Sequence, residues 1–401
     1  MQKTLLKNGL TVLVESRKSQ SIAVEVSVGV GSNYESRKQA GLSHFLEHML
    51  FNGSLKRPTA LAITNEIEKI GGELNGGTSN EQTCFYVKVP SKHFEKALDV
   101  LSDMLLRPLF KPEDVEKERK VVLNEVKLFT DDPKLHVWVM LQKKLYVRHP
   151  TRNPVYGRAA TISRFTRKDF VDFHRRFYVP GNMSIAVVGN VKKSKALSDV
   201  RKYFSGFHGG QAPVLRFPKE PRQLKPKFCT ERRKILQSYI VLAFKTKPRQ
   251  HKDSYALDVA HAILGRKSSG RIFDEIRNKR GLAYDISVQS EALKDFGFFS
   301  VYVVADKKNV DRIVGIILDE LKMKRLDARD LEEAKTFIEG EVLLDNEDNL
   351  KMAEMLSFFN YSSKAEEALN YLKRIRRVSL GQVRNAVKKY LNRNYTLVVV
   401  G

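Results

Sequence analysis

The hydrophobic and polar positions of this chain fall into segments bounded by turn residues. Residues 2–15, QKTLLKNGLTVLVE, run apolar on either side of Asn8-Gly9 and predict strand, tight turn, strand. In Gly41–Phe51, GLSHFLEHMLF, the residues Phe45, Leu46, Leu50 and Phe51 bind a predicted helix into a core, and Asn52-Gly53 stops it. Lys111–Pro133 predicts a longer helix. Pro112 suits its first turn, Glu113 and Asp114 complement the positive end of the helix dipole, and Asp132-Pro133 marks the exit. Two strand endings match each other: Tyr178–Gly189 (YVPGNMSIAVVG) and Tyr390–Gly401 (YLNRNYTLVVVG) superpose without a gap at an offset of 212. Each follows a basic amphipathic stretch, Lys168–Phe177 and Gln382–Lys389, so each reads as helix, turn, buried strand. Between them Gly206, Gly209, Gly210, Pro213, Pro218, Pro221 and Pro226 break any regular element over Gly206–Lys227. The expected organisation is a duplication: a domain over 1–206, a linker over 207–227 and a related domain over 228–401.

Composition supports two cores. The chain has 401 residues, 42% of them apolar, more than one core normally organises. No apolar run approaches membrane-spanning length, and no charged-then-apolar leader precedes the first predicted strand. Cys84 and Cys229 have no partners at metal spacing, so a reducing, cytoplasmic location is expected. A net charge of +25 could attract nucleic acid or acidic lipid. Yet both halves share the excess, and no basic tract is interleaved with aromatics. Lys143-Lys144, Arg175-Arg176 and Lys192-Lys193 therefore read as solvated helix faces. Neither nucleic acid nor membrane is the expected partner, and a basic nucleic-acid-binding protein stays a minor alternative.

His44, Glu47 and His48 form an H-x-x-E-H pattern, the inverzincin arrangement. At about 100° per residue, His44 and His48 lie ~40° apart on one helix face, one turn along. Both imidazoles can then reach a single Zn²⁺ at roughly 2.0–2.1 Å. Glu47 flanks that face, where a carboxylate can act as general base on water at the metal. A lone His on an apolar helix is ordinarily a satisfied core residue; three specified positions in five argue against that here. Catalytic zinc takes three protein ligands, and Glu118 and Glu125 are the candidates for the third. They share a helix face but stand two turns, roughly 10.5 Å, apart along its axis. One can bind the metal while the other orients a histidine. Beside Lys117, Arg119 and Lys120, Glu118 is equally readable as part of a solvated charged face.

HFLEH followed by Glu125 after 76 intervening residues resembles the zinc signature of the pitrilysin–insulysin–mitochondrial processing peptidase family. The flanks are similar too: Gly31–Tyr34 (GSNY), Ala40-Gly41-Leu42, Gly71–Asn75 (GGELN) and Thr78–Glu81 (TSNE). The resemblance spans essentially the whole chain. It implies an α+β fold of two homologous domains, each a mainly antiparallel sheet with helices packed on it, together half of a clamshell. It implies one zinc per chain on His44, His48 and Glu125, with Glu47 as base, Glu118 as supporting acid and Asn75 holding substrate main chain. Leu264–Tyr284 is similar to the family segment that sets an Arg and a Tyr over the cleaved bond, here Arg277 and Tyr284. Gly265–Gly270 in that stretch is a near miss for a phosphate loop, since Arg271-Ile272 replaces Lys-Ser/Thr. Larger relatives join four such domains around a chamber, so a two-domain chain implies a partner. A homodimer with Arg277 and Tyr284 serving the other protomer is the expectation; a heterodimer with a degenerate homologue is the alternative. The implied activity is a zinc endopeptidase acting on peptides or unfolded segments. A non-catalytic scaffold of the same fold is the competing reading.

Overall fold

A computed structural model describes residues 1–207, 210 and 213–401; Gly209, one of the linker glycines named above, lies outside them. The chain forms two compact units, and neither is continuous in sequence. The first holds 1–127, 153–217 and 345–368, the second 128–152, 218–344 and 369–401. The helices that build their cores and the site are α1 (Leu42–Phe51), α2 (Phe94–Leu106), α3 (Pro112–Asp131), α4 (Pro133–Leu145), α5 (Ser254–Gly265), α6 (Ala328–Glu347) and α7 (Asn349–Ser362).

In the first unit β1 (Gln2–Leu5), β2 (Thr11–Ser16), β3 (Ser21–Val28), β4 (Glu73–Thr78), β5 (Thr83–Pro90) and β6 (Met183–Gly189) make one sheet, ordered β1-β2-β6-β3-β5-β4. Only β2 and β6 run parallel. The expected strand–turn–strand over 2–15 is the β1–β2 hairpin, with Gln2 opposite Val14. Ile22, Val24, Val26 and Val28 of β3 enter a core with Phe45 and Leu46 of α1 and Leu98 and Leu101 of α2. The alternate residues Glu25 and Ser27 are buried too, and Glu25 faces Ser357 and Glu354 of α7. With helices on both faces, the central strand shows no exposed alternation.

The second unit holds β7 (Lys227–Glu231), β8 (Gln237–Lys245), β9 (Ala283–Ala292), β10 (Gly297–Asp306) and β11 (Thr396–Val400), ordered β7-β11-β8-β10-β9. Again one pair, β7 and β11, runs parallel. Val137, Leu141 and Leu145 of α4 pack with Val241, Ala243, Val398 and Val400 on one face. On the other, α5 and α6 share a core with Ile240, Leu242 and Phe244.

The units thus depart from the linear halves in one respect. The linker region does contain the 217/218 boundary, and its described residues 213–226 carry no helix or strand. But α4, from the first half, belongs to the second unit, and α7, from the second half, belongs to the first. A cut at the linker does not separate the two cores. Among the described residues no helix is long and apolar enough to cross a membrane.

Candidate metal centre

Helix α1 is fixed before its polar face does anything. Gly41 at its N-cap has φ 94°, a left-handed conformation. A Cβ there would sit 2.8 Å from the Tyr156 carbonyl oxygen and 2.9 Å from the Gly157 Cα, so this close approach needs glycine. Glu35 accepts the Gly41 and Ser43 backbone N–H groups, each at 2.7 Å, placing a carboxyl group at the positive end of the helix. Burial nevertheless pushes Glu35 up to about 8, against those two donors. Leu42, Phe45, Leu46, Met49 and Leu50 are buried, and the Phe45 ring meets Phe170 edge-on with centroids 4.8 Å apart. The opposite side of the helix is left to His44, Glu47 and His48.

Three ligand-type atoms converge there. His44 Nε2 and His48 Nε2 are 3.3 Å apart, and Glu125 Oε2 of α3 lies 3.5 Å from the first and 3.6 Å from the second. A tetrahedral zinc with bonds of about 2.0–2.1 Å has ligand–ligand edges of about 3.3–3.4 Å. The triangle is therefore of the right size to cap one face of such a tetrahedron. Among the described residues these are the only His, Cys, Asp or Glu groups brought together in this way. Three ligands are the number that leaves a coordination position open.

The two histidines are held differently. Burial first, then the neighbouring His48, hold His44 down at about 4, so it keeps a lone pair at neutral pH. Its buried Nδ1 finds no hydrogen-bond partner among the described residues. Burial also disfavours charge on His48, but the Glu118 hydrogen bond and the Glu125, Glu47 and Glu118 charges outweigh it and raise its pKa. His48 Nδ1 lies 2.8 Å from Glu118 Oε1, and Asn52 Nδ2 donates to Glu118 Oε2 at 3.0 Å. The bond to His48 holds the Glu118 carboxylate below its usual range despite burial.

The two glutamates seven residues apart thus meet one imidazole at different atoms: Glu118 at Nδ1, Glu125 beside Nε2. The ring itself bridges the two helical turns. Carboxylate–histidine–metal chains of this form set the tautomer and orientation of the ligand. Asn52, expected only as a helix stop, is also a brace, since its amide donates to the His48 carbonyl as well.

Glu47 is buried, and burial raises its pKa, opposed by hydrogen bonds from Thr78 and by His48. Thr78 Oγ1 donates to Glu47 Oε2 at 2.6 Å. Thr78 ends β4, which is the last strand of its sheet and, among the described residues, pairs with β5 alone. Asn75 lies on the same strand, opposite Tyr86, and its Oδ1 accepts from the Gly76 N–H. Residues 73–78 alternate between exposed and half-buried, and a Cβ on Gly77 would meet nothing. Such a glycine-bearing edge suits close approach by another backbone. No sequence pattern gives Thr78 or Glu35 a role of its own. Thr78 stands out only within the TSNE flank, and nothing local to Glu35 signals a cap six residues ahead of the N-cap Gly41.

In the second unit Arg277 and Tyr284 lie together. Arg277 Nη1 donates to the Tyr284 carbonyl at 2.9 Å, and its guanidinium lies over the Phe273 and Tyr284 rings. Tyr284 is 74% exposed. Arg277 stands on a short π-helical turn, Asp274–Asn278, a geometry frequent at functional sites.

This fold with this helix defines a class, the M16 or insulinase-type peptidases, and the chain belongs to that family. Residues 10–159 match the family described as "Insulinase (Peptidase family M16)" and residues 164–337 the one described as "Peptidase M16 inactive domain". The chain is 33% identical over 407 residues to an "uncharacterized zinc protease" of Mycobacterium leprae, covering 100% of this chain and 91% of that one. It is 30% identical over 404 residues to another from Bacillus subtilis, covering 98% and 96%. Among solved structures a protease from Helicobacter pylori shares the fold at a TM-score of 0.94, with 23% identity over 100% of this chain and 99% of that one.

Proposed function

We propose that the protein is a zinc-dependent endopeptidase that cleaves extended peptides or unfolded segments. The supporting observation is the triangle of His44 Nε2, His48 Nε2 and Glu125 Oε2, sized for one zinc per chain, with the Glu47 carboxyl on the adjacent flank of the same helix. When bound, zinc supplies Lewis acidity, lowering the pKa of water toward neutrality and polarising a carbonyl. Glu47 takes the proton of the attacking water and returns it to the leaving amine. Glu118 keeps His48 in the tautomer whose Nε2 lone pair is free. The open edge of β4, with Asn75, pairs with the substrate main chain, which gives affinity without demanding one sequence. Arg277 and Tyr284 donate to the developing oxyanion.

Because one chain carries both the metal-type cluster and the Arg–Tyr pair, we assign it to a homodimer with two sites, each completed by the other protomer. Its free cysteines fit a reducing, cytoplasmic setting. The scaffold reading gains nothing from the site, whose ligand-type residues are all present. Glu47→Gln tests the assignment. Hydrolysis of a peptide library should fall by about 10²–10⁴-fold while zinc stays at one per chain. A variant that cleaves at the wild-type rate sinks the proposal.

A further inference from the structure

The hydroxyl of Thr78 has one place to send its proton. Its nearest partners are Glu47 Oε2 at 2.6 Å and Thr83 Oγ1 at 3.4 Å. An ionised carboxylate can only accept, so Thr78 is the donor in the shorter contact. Thr83 is fully buried and sends its own hydroxyl proton to the Val30 carbonyl at 2.9 Å, so it has none to give Thr78, and the 3.4 Å approach of the two hydroxyls does not compete with the bond to Glu47.

The backbone beneath Thr78 is equally determined. Thr78 faces Thr83 in the last pair of the β4–β5 hairpin. The turn between them is closed by Ser79 N–H to the Gln82 carbonyl at 2.7 Å, while Ser79 Oγ accepts from Glu81 N and Gln82 N. That turn is clamped from outside, where Asn33 N–H donates to the Asn80 carbonyl at 2.8 Å. At Gly31 a Cβ would lie 2.3 Å from the Ser79 carbonyl oxygen. The donor is thus held in place by its turn; its hydroxyl engages Glu47 Oε2, and the Thr78 backbone also supports the Glu47 carboxylate.

We propose that Thr78 is a positioning residue for the reaction: it pins Glu47 Oε2 and leaves Oε1 directed for proton transfer, so the strand that pairs with substrate also aims the base. The inference rests on the peptidase reading above and adds a group that acts through Glu47. A hydrogen bond to a charged group is worth enough that losing it slows a step dependent on that geometry by about 10–100-fold.

The test compares zinc-loaded wild type with Thr78→Val, Thr78→Ser, Glu47→Gln and the Thr78→Val/Glu47→Gln double variant on an extended fluorogenic peptide. Zinc content and the thermal midpoint are read alongside. Thr78→Val, which keeps the shape and removes the hydroxyl, should lower kcat by about 10–100-fold with KM changed by less than about twofold. Zinc should remain at one per chain, and Thr78→Ser should recover most of the rate. Thr78→Val should cost nothing further on top of Glu47→Gln, because the two act through one group. Thr78→Ala reports the same loss should valine lower the thermal midpoint. Wild-type kcat in Thr78→Val, a Thr78→Ser variant as slow as Thr78→Val, or a further loss in the double variant would each overturn the inference. The peptidase reading fails separately: Glu47→Gln would then cleave at the wild-type rate, whereas an inactive Glu47→Gln beside a fully active Thr78→Val defeats the Thr78 role alone.

Discussion

Strands β2-β6-β3-β5-β4 in the first unit and β7-β11-β8-β10-β9 in the second run in the same spatial order, each with a single parallel pair. The helices repeat as well. α3 and α6 begin 216 residues apart, at Pro112 and Ala328, as do α4 and α7, at Pro133 and Asn349. Even the caps recur: Asp132 accepts from Lys134 N and Asp348 from Leu350 N, both at 2.7 Å. Against that shared frame the polar residues diverge. Where α3 has Glu118, α6 has the buried Ala334. Where α3 has Glu125, α6 has Glu341, which pairs with Lys267 at 2.9 Å. Helix α5, which follows β8 as α1 follows β3, carries Asp258, and this is bound by Arg249 at 2.6 and 3.2 Å and by Tyr371 at 3.0 Å. Its His261 faces the Val288 carbonyl at 2.9 Å. In the second unit these groups are consumed by structure; in the first, His44, His48 and Glu125 turn toward one another. A frame that forms once with no such cluster among its described residues does not need one to fold, and the chemistry is an addition to the fold rather than part of it.

That contrast can be broken most directly by removing the metal. Chelation, or His48→Ala, should take hydrolysis to background. The far-ultraviolet circular dichroism spectrum should stay unchanged, and the metal-free variant should melt with metal-free wild type; loss of secondary structure would make the cluster part of the fold after all. The next largest effect concerns the brace. Glu118→Gln should weaken zinc affinity by about 10–100-fold, measured by competition with a chelator, because it removes the charge that fixes His48 but no ligand. An unchanged affinity would return Glu118 to the solvated face. The smallest signal tests whether the two units cooperate between copies. Mixing equal amounts of Glu47→Gln and Tyr284→Phe chains should restore about a quarter of wild-type activity, since half of the dimers are mixed and each has one complete site. No recovery would place both sets of residues in a single chain's site, or leave Tyr284 without a role.

Much of the frame was open to reading along the chain. The ends of α1 at Asn52 and of α3 at Pro112 follow from local chemistry, as do the buried strands β6 and β11. The fates of α4 and α7 did not, because an apolar helix face states that it must be covered and not which sheet will cover it. Helical spacing by itself leaves open which of Glu118 and Glu125 faces which nitrogen of His48, and only the family resemblance distinguishes them along the chain. Spacing along one helix gives the distance between two carboxylates, but it does not reveal that an imidazole from another helix presents a different nitrogen to each.

The sequence alone determined that His44 and His48 share one face of one helix with Glu47 on its flank, because helical periodicity over five residues leaves no other arrangement. Only the tertiary structure decided what meets that face. α3 lies across it so that Glu125 closes a triangle with edges of 3.3–3.6 Å, and β4 ends beside it so that Thr78 holds Glu47. Those partners lie 31 to 81 residues away, and contacts at such separations are set by how sheets and helices pack, which no local pattern encodes.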